Sequence, residues 1–165
     1  MTTTAYQELM EAPLQSVSNA MSAAELAQVR RASQTLQLFM SPWQLWALIT
    51  AMGSEEGSWF VAKAVALARM IDEMPVPFQQ DRLGEKAVAY LHYFYGRSDW
   101  YILERDRGDG VSAAFGFALL NGDLVNAELG YIPITELTEL GAELDLYFKP
   151  TSLADVRKVV RETYG

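Results

Sequence analysis

Along the first half of the chain, apolar positions recur at helical spacing. Ser22 stands three residues before Glu25, the spacing of a capping box, and Leu26, Val29, Leu36 and Phe39 follow at turn-like intervals. Ser41 and Pro42 restart the chain as N-cap and first helical residue. Trp43, Leu45, Trp46, Ile49 and Met52 then predict a short, very apolar second helix that Gly53 ends. A third helix is predicted from about residue 55 to 74, with Phe60, Ala64, Leu67 and Ile71 as its buried stripe, until Pro75 and Pro77 stop it. Residues 1 to about 21 are weakly patterned and read as a loosely packed arm. Burial is expected for Trp43, Trp46, Trp59 and Phe60, because left outside they would form a large sticky patch.

After Asp81 the texture changes. Aromatic and β-branched residues replace the alanine-rich pattern, punctuated by Gly96-Arg97, Gly108-Asp109-Gly110 and Asn121-Gly122. These are hairpin signals, Asn-Gly the strongest, and they predict four antiparallel strands at about 88–95, 99–106, 112–120 and 124–132. A short helix over 134–140, a strand-like stretch over 144–148 and a last helix begun by Pro150-Thr151-Ser152 complete the reading, Leu153, Val156 and Val160 forming that helix's buried side. The expected fold is α+β: an N-terminal helical part packed on a four- to five-stranded antiparallel sheet, with two short C-terminal helices. The boundary is placed after residue 81, so that 1–81 and 82–165 form one compact unit.

Composition narrows the chemistry. The 165 residues include no cysteine and one histidine, His92, which removes thiolate zinc sites, disulfides, cysteine nucleophiles and multi-histidine metal sites. No metal and no cofactor are expected. The longest apolar stretch, Trp59 to Ile71, is broken by Lys63 and Arg69, so neither a membrane span nor a secretory signal is predicted, and a cytoplasmic protein is expected. Of the net charge of −8, all is concentrated between Asp99 and Asp145, where ten acidic side chains meet only Arg105 and Arg107. Direct binding of nucleic acid is disfavoured by that balance. The segment reads either as a solvated surface or as one that competes with nucleic acid for a basic protein. Asp106, Asp109, Asp123, Glu136 and Glu139, in turns or on the outer side of the short helix, are the candidate partner-binding residues.

Strand register supplies a second candidate face. With Asn121-Gly122 and Asp109-Gly110 as two-residue turns, Phe115 would oppose both Glu104 and Glu128, and Trp100, Ile102, Glu104, Phe115, Phe117, Leu119 and Glu128 would share one side. Two carboxylates about 9 to 10 Å apart across an aromatic ring could bind a cation or divide acid and base roles; a one-residue bulge would separate them. Ala114, Gly116 and Ala118 would line the other face, small enough to admit a helix. Across the Gly96-Arg97 turn, His92 should oppose Tyr101 with Asp99 diagonal to it. That cluster either relays protons or simply satisfies a strand histidine. On the last helix, Arg157, Lys158 and Arg161 are cations suited to a helix C-terminus.

Several runs carry a resemblance. They are Ala89 to Glu104 (AYLHYFYGRSDWYILE), Ala114 to Ala118 (AFGFA), Ala127 to Ile132 (AELGYI) and Gly141 to Thr151 (GAELDLYFKPT). In order and spacing, over about residues 87–158, they resemble an uncharacterised bacterial domain of unknown function carried by phages, plasmids and integrative elements, in some of which it accompanies very large polyvalent proteins. The resemblance implies a mobile-element setting and no catalytic residues. Jobs in that setting include blocking host restriction or CRISPR effectors, supporting DNA transfer and modifying host metabolism.

The acidic segment favours the first of these. The expected function is that of a non-enzymatic accessory protein that binds and inhibits a host defence protein, anti-CRISPR or anti-restriction in type, at a basic nucleic-acid-binding surface. The alternatives are a small enzyme or ligand-binding domain using the Glu104/Glu128 face and a DNA-transfer accessory protein.

Overall fold

A computed structural model describes residues 3–165. It divides into two compact units, one ending at Asp72 and the other running from Glu73 to Gly165. Among the described residues no helix is long and apolar enough to cross a membrane.

The first unit is helical: α1 (Thr3–Ser18), α2 (Ala23–Phe39), α3 (Pro42–Ala51) and α4 (Gly57–Glu73), the last running into the second unit by one residue. The N-terminal stretch is thus a helix where the sequence suggested an arm. Its signal is short, Met10, Leu14 and Val17 being buried at i, i+4 and i+7, and Pro13 lies among them. The capping box forms as expected: Ser22 Oγ accepts the Glu25 N–H at 3.1 Å while Glu25 accepts the Ser22 N–H. Ser41 caps α3 in the same manner through the Gln44 N–H, with Pro42 in the first turn. The expected burial of the tryptophans does not hold. Trp43, Trp46 and Trp59 are 69%, 39% and 41% exposed, because α3 and α4 are covered along Leu45, Leu48 and Ile49 and along Val61, Ala64, Leu67 and Ile71 instead.

The second unit is an α+β layer structure. A two-residue strand β1 (Val88–Ala89) pairs with β7 (Thr151–Ser152), and a five-stranded antiparallel sheet has the order β5-β4-β3-β2-β6, formed by β2 (Leu91–Tyr95), β3 (Ser98–Glu104), β4 (Ala114–Leu119), β5 (Glu128–Ile132) and β6 (Glu143–Leu144). Two short helices follow the sheet's long strands, α5 (Ile134–Leu140) and α6 (Leu153–Tyr164). Residues 73–81 belong with the sheet: Pro75 accepts the Arg105 N–H, and Gln80 bonds Val88, Leu103 and Glu104. Leu153, Val156 and Val160 of α6 pack with Tyr101, Leu103, Phe117 and Leu119 of the sheet. The expected strand over 144–148 is shorter, since Asp145 turns the chain by accepting the Tyr147 N–H.

Every residue of β3 is buried, as its central position demands. Gly116 lies opposite Ile102, next to a bulge at Leu103, and a Cβ placed there would stand 2.0 Å from the Tyr101 carbonyl oxygen. The glycine is therefore required by the neighbouring strand rather than by an approaching helix. Gly116→Ala is expected to lower stability by about 3 kcal/mol. A urea melt of the variant beside the parent protein measures the loss.

Candidate functional site

The Gly96-Arg97 turn sets β2 against β3 in the expected register, with His92 opposite Tyr101. Because alternate residues share a face, Asp99 and His92 meet diagonally on it, and His92 Nε2 lies 2.7 Å from Asp99 Oδ1. On the other side of the ring, Nδ1 is 3.0 Å from Oδ2 of Asp145, brought there when the chain leaves β6 and the Asp145 N–H bonds the His92 carbonyl. Asp99 also accepts the Tyr164 hydroxyl at 2.5 Å, tying the end of α6 to the sheet. The imidazole stacks on Tyr101, ring centroids 4.5 Å apart and planes at 10°, with Phe94 and Phe148 at its edges.

Electrostatics follow from this arrangement. Burial opposes charge on His92, but hydrogen bonds and attraction from Asp99 and Asp145 outweigh it, so its pKa is raised. Burial likewise pushes Asp99 up, but the bonds from His92 and Tyr164 outweigh this and hold its carboxyl below the usual range. Tyr164 is pushed up to about 12 by burial and by its bond to Asp99. Each ring nitrogen faces a carboxylate, which only an imidazolium can satisfy by donating twice. Neither nitrogen is left to take a proton from a substrate, so this is a charged clasp between strand, turn and helix rather than a general base. Its residues form a Tyr-His-Asp cluster of the expected kind, with Asp145 and Tyr164 added by the fold.

The Glu104/Glu128 face is not formed. Asn121 and Gly122 adopt left-handed conformations and close a turn, Asp123 N–H to Leu120 carbonyl, yet pairing does not resume beyond it. Asp123 instead captures the amides of Val125 and Asn126, and the strands rejoin only at Ala118 opposite Glu128. Phe115 faces Tyr131, not Glu128. The bulge between Ile102 and Glu104 shifts the other side too, leaving Phe117 against Tyr101 and Leu119 against Asp99. Phe115, Phe117 and Leu119 thus share the His92 face, while Trp100, Ile102 and Glu128 lie on the opposite one. Glu104 returns opposite Phe115 but is buried, its Oε2 accepting the Gln80 N–H at 2.9 Å. It has no access to a ligand shared with exposed Glu128. Among the described residues no group of three or more His, Asp or Glu side chains is arranged to hold a metal ion.

The five candidate acids lie in two loops and on α5. Asp106 accepts the amides of Gly108 and Ala113, and Asp109 accepts those of Val111 and Ser112 together with the Ser112 hydroxyl. Bonds from Ser112, side chain first, depress Asp109, and the Asn126 side chain and backbone depress Asp123, so both remain ionised. Glu136 and Glu139 are exposed on α5, whose Ile134 and Leu137 turn inward. Three of the five thus shape loops as well as carry charge, through Asx-turn bonding that their spacing to Gly108, Ser112 and Asn126 foreshadows.

Raised His92 and lowered Asp99 have opposite consequences for stability against pH. The histidine's contribution is complete below its unfolded pKa near 6.5 and is lost as pH rises through the raised folded value; the aspartate's is present above about 3.8 and is lost on acidification below that. His92→Phe, which keeps an aromatic on Tyr101 but leaves two carboxylates unpaired, should cost about 2 kcal/mol. The deficit against the parent should be greatest between about pH 5 and 6 and shrink towards higher pH, as denaturant melts across the range would show.

No family model matches the chain, and comparisons with curated proteins and with solved structures give no match either.

Proposed function

We propose that the chain is a non-catalytic accessory protein of a phage, plasmid or other mobile element, which binds and inhibits a host defence protein of restriction or CRISPR type by presenting an acidic surface to its basic nucleic-acid-binding face. The observation that carries this reading is the division of the acids. Asp99 and Asp145 are spent on His92 and Glu104 on Gln80, inside the second unit. Glu128, Glu136, Glu139, Glu143, Asp109 and Asp123 remain exposed, with Asp106 half-buried beside them. Acids held inside have structural partners; the outer ones outnumber what the two arginines of the segment can neutralise. Such a surface attracts basic partners and speeds encounter with them. The occupied histidine supports a role without turnover, as does the separation of Glu104 from Glu128. The mobile-element setting rests on the resemblance over residues 87–158.

The test separates charge from folding. Asp109 and Asp123 hold loops, so reversal there would disturb the backbone, whereas Glu136, Glu139 and Glu143 make no such bonds. Expression of the parent protein should raise plaque counts of a sensitive phage on a restricting host. Glu136→Lys, Glu139→Lys and Glu143→Lys together should reduce that protection about tenfold or more, each single change being mild because exposed pairs contribute only about 0.2 to 1 kcal/mol. Equal plaque counts with and without the parent protein, on hosts with restriction and with CRISPR systems, would contradict the reading.

A further inference from the structure

The sheet of the second unit has two edges that differ in kind. One is β6, two residues long, which offers a partner little. The other is β5, a five-residue strand, Glu128-Leu129-Gly130-Tyr131-Ile132, with no lysine, proline or bulge to blunt it. The direction of its free backbone groups follows from the register. In the two-residue turn Gly96-Arg97, Tyr95 and Ser98 form a hydrogen-bonded pair, and pairing alternates from there. Ser98 and Trp100 address β2, so Asp99 and Tyr101 address β4. Leu119 and Phe117 answer them, which leaves Ala118 and Gly116 to pair with Glu128 and Gly130. The N–H and C=O groups of Leu129 and Tyr131 therefore point away from the sheet. Among the described residues these four groups make no hydrogen bond.

The side chains along this edge are also open. Leu129 and Tyr131 are 38% and 64% exposed, and Tyr131 meets Phe115 edge to face at 5.8 Å, so a residue arriving beside it would extend an aromatic row. On the opposite face a Cβ at Gly130 would meet nothing within 4 Å. Acids stand at both ends of the strand in the chain, Asp123 before it and Glu128 as its first residue, with Glu136 and Glu139 after it. A second copy would bring the same acids and another net −8 to the same edge.

We propose that β5 is a docking edge, to which an extended segment of a partner protein adds as a sixth strand, its backbone bonded to Leu129 and Tyr131, its apolar side chains beside them and its lysines or arginines towards the flanking acids. The sign of the partner's charge rests on the function proposed above; the open backbone does not. Strand addition of this kind takes its strength from main-chain hydrogen bonds and its selectivity from alternate side chains.

The probe is a capped decapeptide of alternating valine and threonine with two lysines at each end, titrated into the full-length ¹⁵N-labelled protein. The largest shifts should fall on the amides of Leu129 and Tyr131, and their hydrogen exchange should slow about tenfold or more. Methylating alternate backbone nitrogens of the peptide leaves its charge intact and should weaken binding about tenfold or more, since it removes the donors of the new ladder. Leu129→Lys, which places a like charge on the edge while keeping every backbone group, should weaken it similarly. Binding that ignores methylation, or shifts confined to α5 and the loops, would overturn the docking edge while leaving the acidic surface standing. A peptide with glutamates for lysines that binds β5 as tightly would overturn the basic-segment proposal and the acidic-surface reading together. Self-association of the free protein with protection of the same two amides would overturn it in favour of a second copy.

Discussion

A central strand buried along its whole length is the constraint on which the second unit depends. All of β3, Ser98 to Glu104, lies inside, and two of its seven residues are carboxylic acids. A buried ionised group is tolerable only if it is paired or hydrogen-bonded. Asp99 is answered by the imidazolium of His92 and the hydroxyl of Tyr164, Glu104 by the Gln80 N–H. Each answer comes from a different part of the unit. Thus the polar demands of one strand draw in β2, the segment before β1 and the last turn of α6, and removing a partner would cost more than the bond itself.

The same demand governs how charge is distributed outside. Asp145, the other partner of His92, is also taken into the clasp, while Asp106, Asp109 and Asp123 bend the loops that join β3 to β4 and β4 to β5. Glu128, Glu136, Glu139 and Glu143 are exposed and hold no loop in this way. A surface whose acids are free to meet a cation and an edge strand whose backbone is free to meet another strand then occur in one small unit, both facing outward. On the function proposed above these are the groups that meet a partner, while His92, Asp99, Asp145 and Tyr164 are engaged with one another.

Much of this was legible in the sequence where local rules act alone. Ser22 with Glu25, Ser41 with Pro42, the helix over 134–140 and the Gly96-Arg97 register all follow from capping and turn chemistry within a few residues. The meeting of His92 with Asp99 followed from that register. The parts played by Asp145 and Tyr164 did not, since Asp145 reaches the His92 ring from 53 residues away in the chain and Tyr164 reaches Asp99 from 65. The Glu104/Glu128 face failed for two physical reasons. A bulge at Leu103 inserts one residue, and Asp123 holds Val125 and Asn126 in a loop where alternation alone would continue the hairpin. The exposed Trp43, Trp46 and Trp59 mark a further limit, because apolar character says nothing about which side of a helix finds a neighbour.

That the buried polar groups are scaffold is most directly tested on His92 itself, the protein's single histidine and so the source of one unambiguous imidazole spectrum. Long-range ¹⁵N–¹H correlation at a pH near 6.5 should show both ring nitrogens protonated, with a titration midpoint above that of a free histidine. A ring with one bare nitrogen at that pH, titrating at or below the ordinary value, would contradict the clasp and return His92 to the residues available for chemistry.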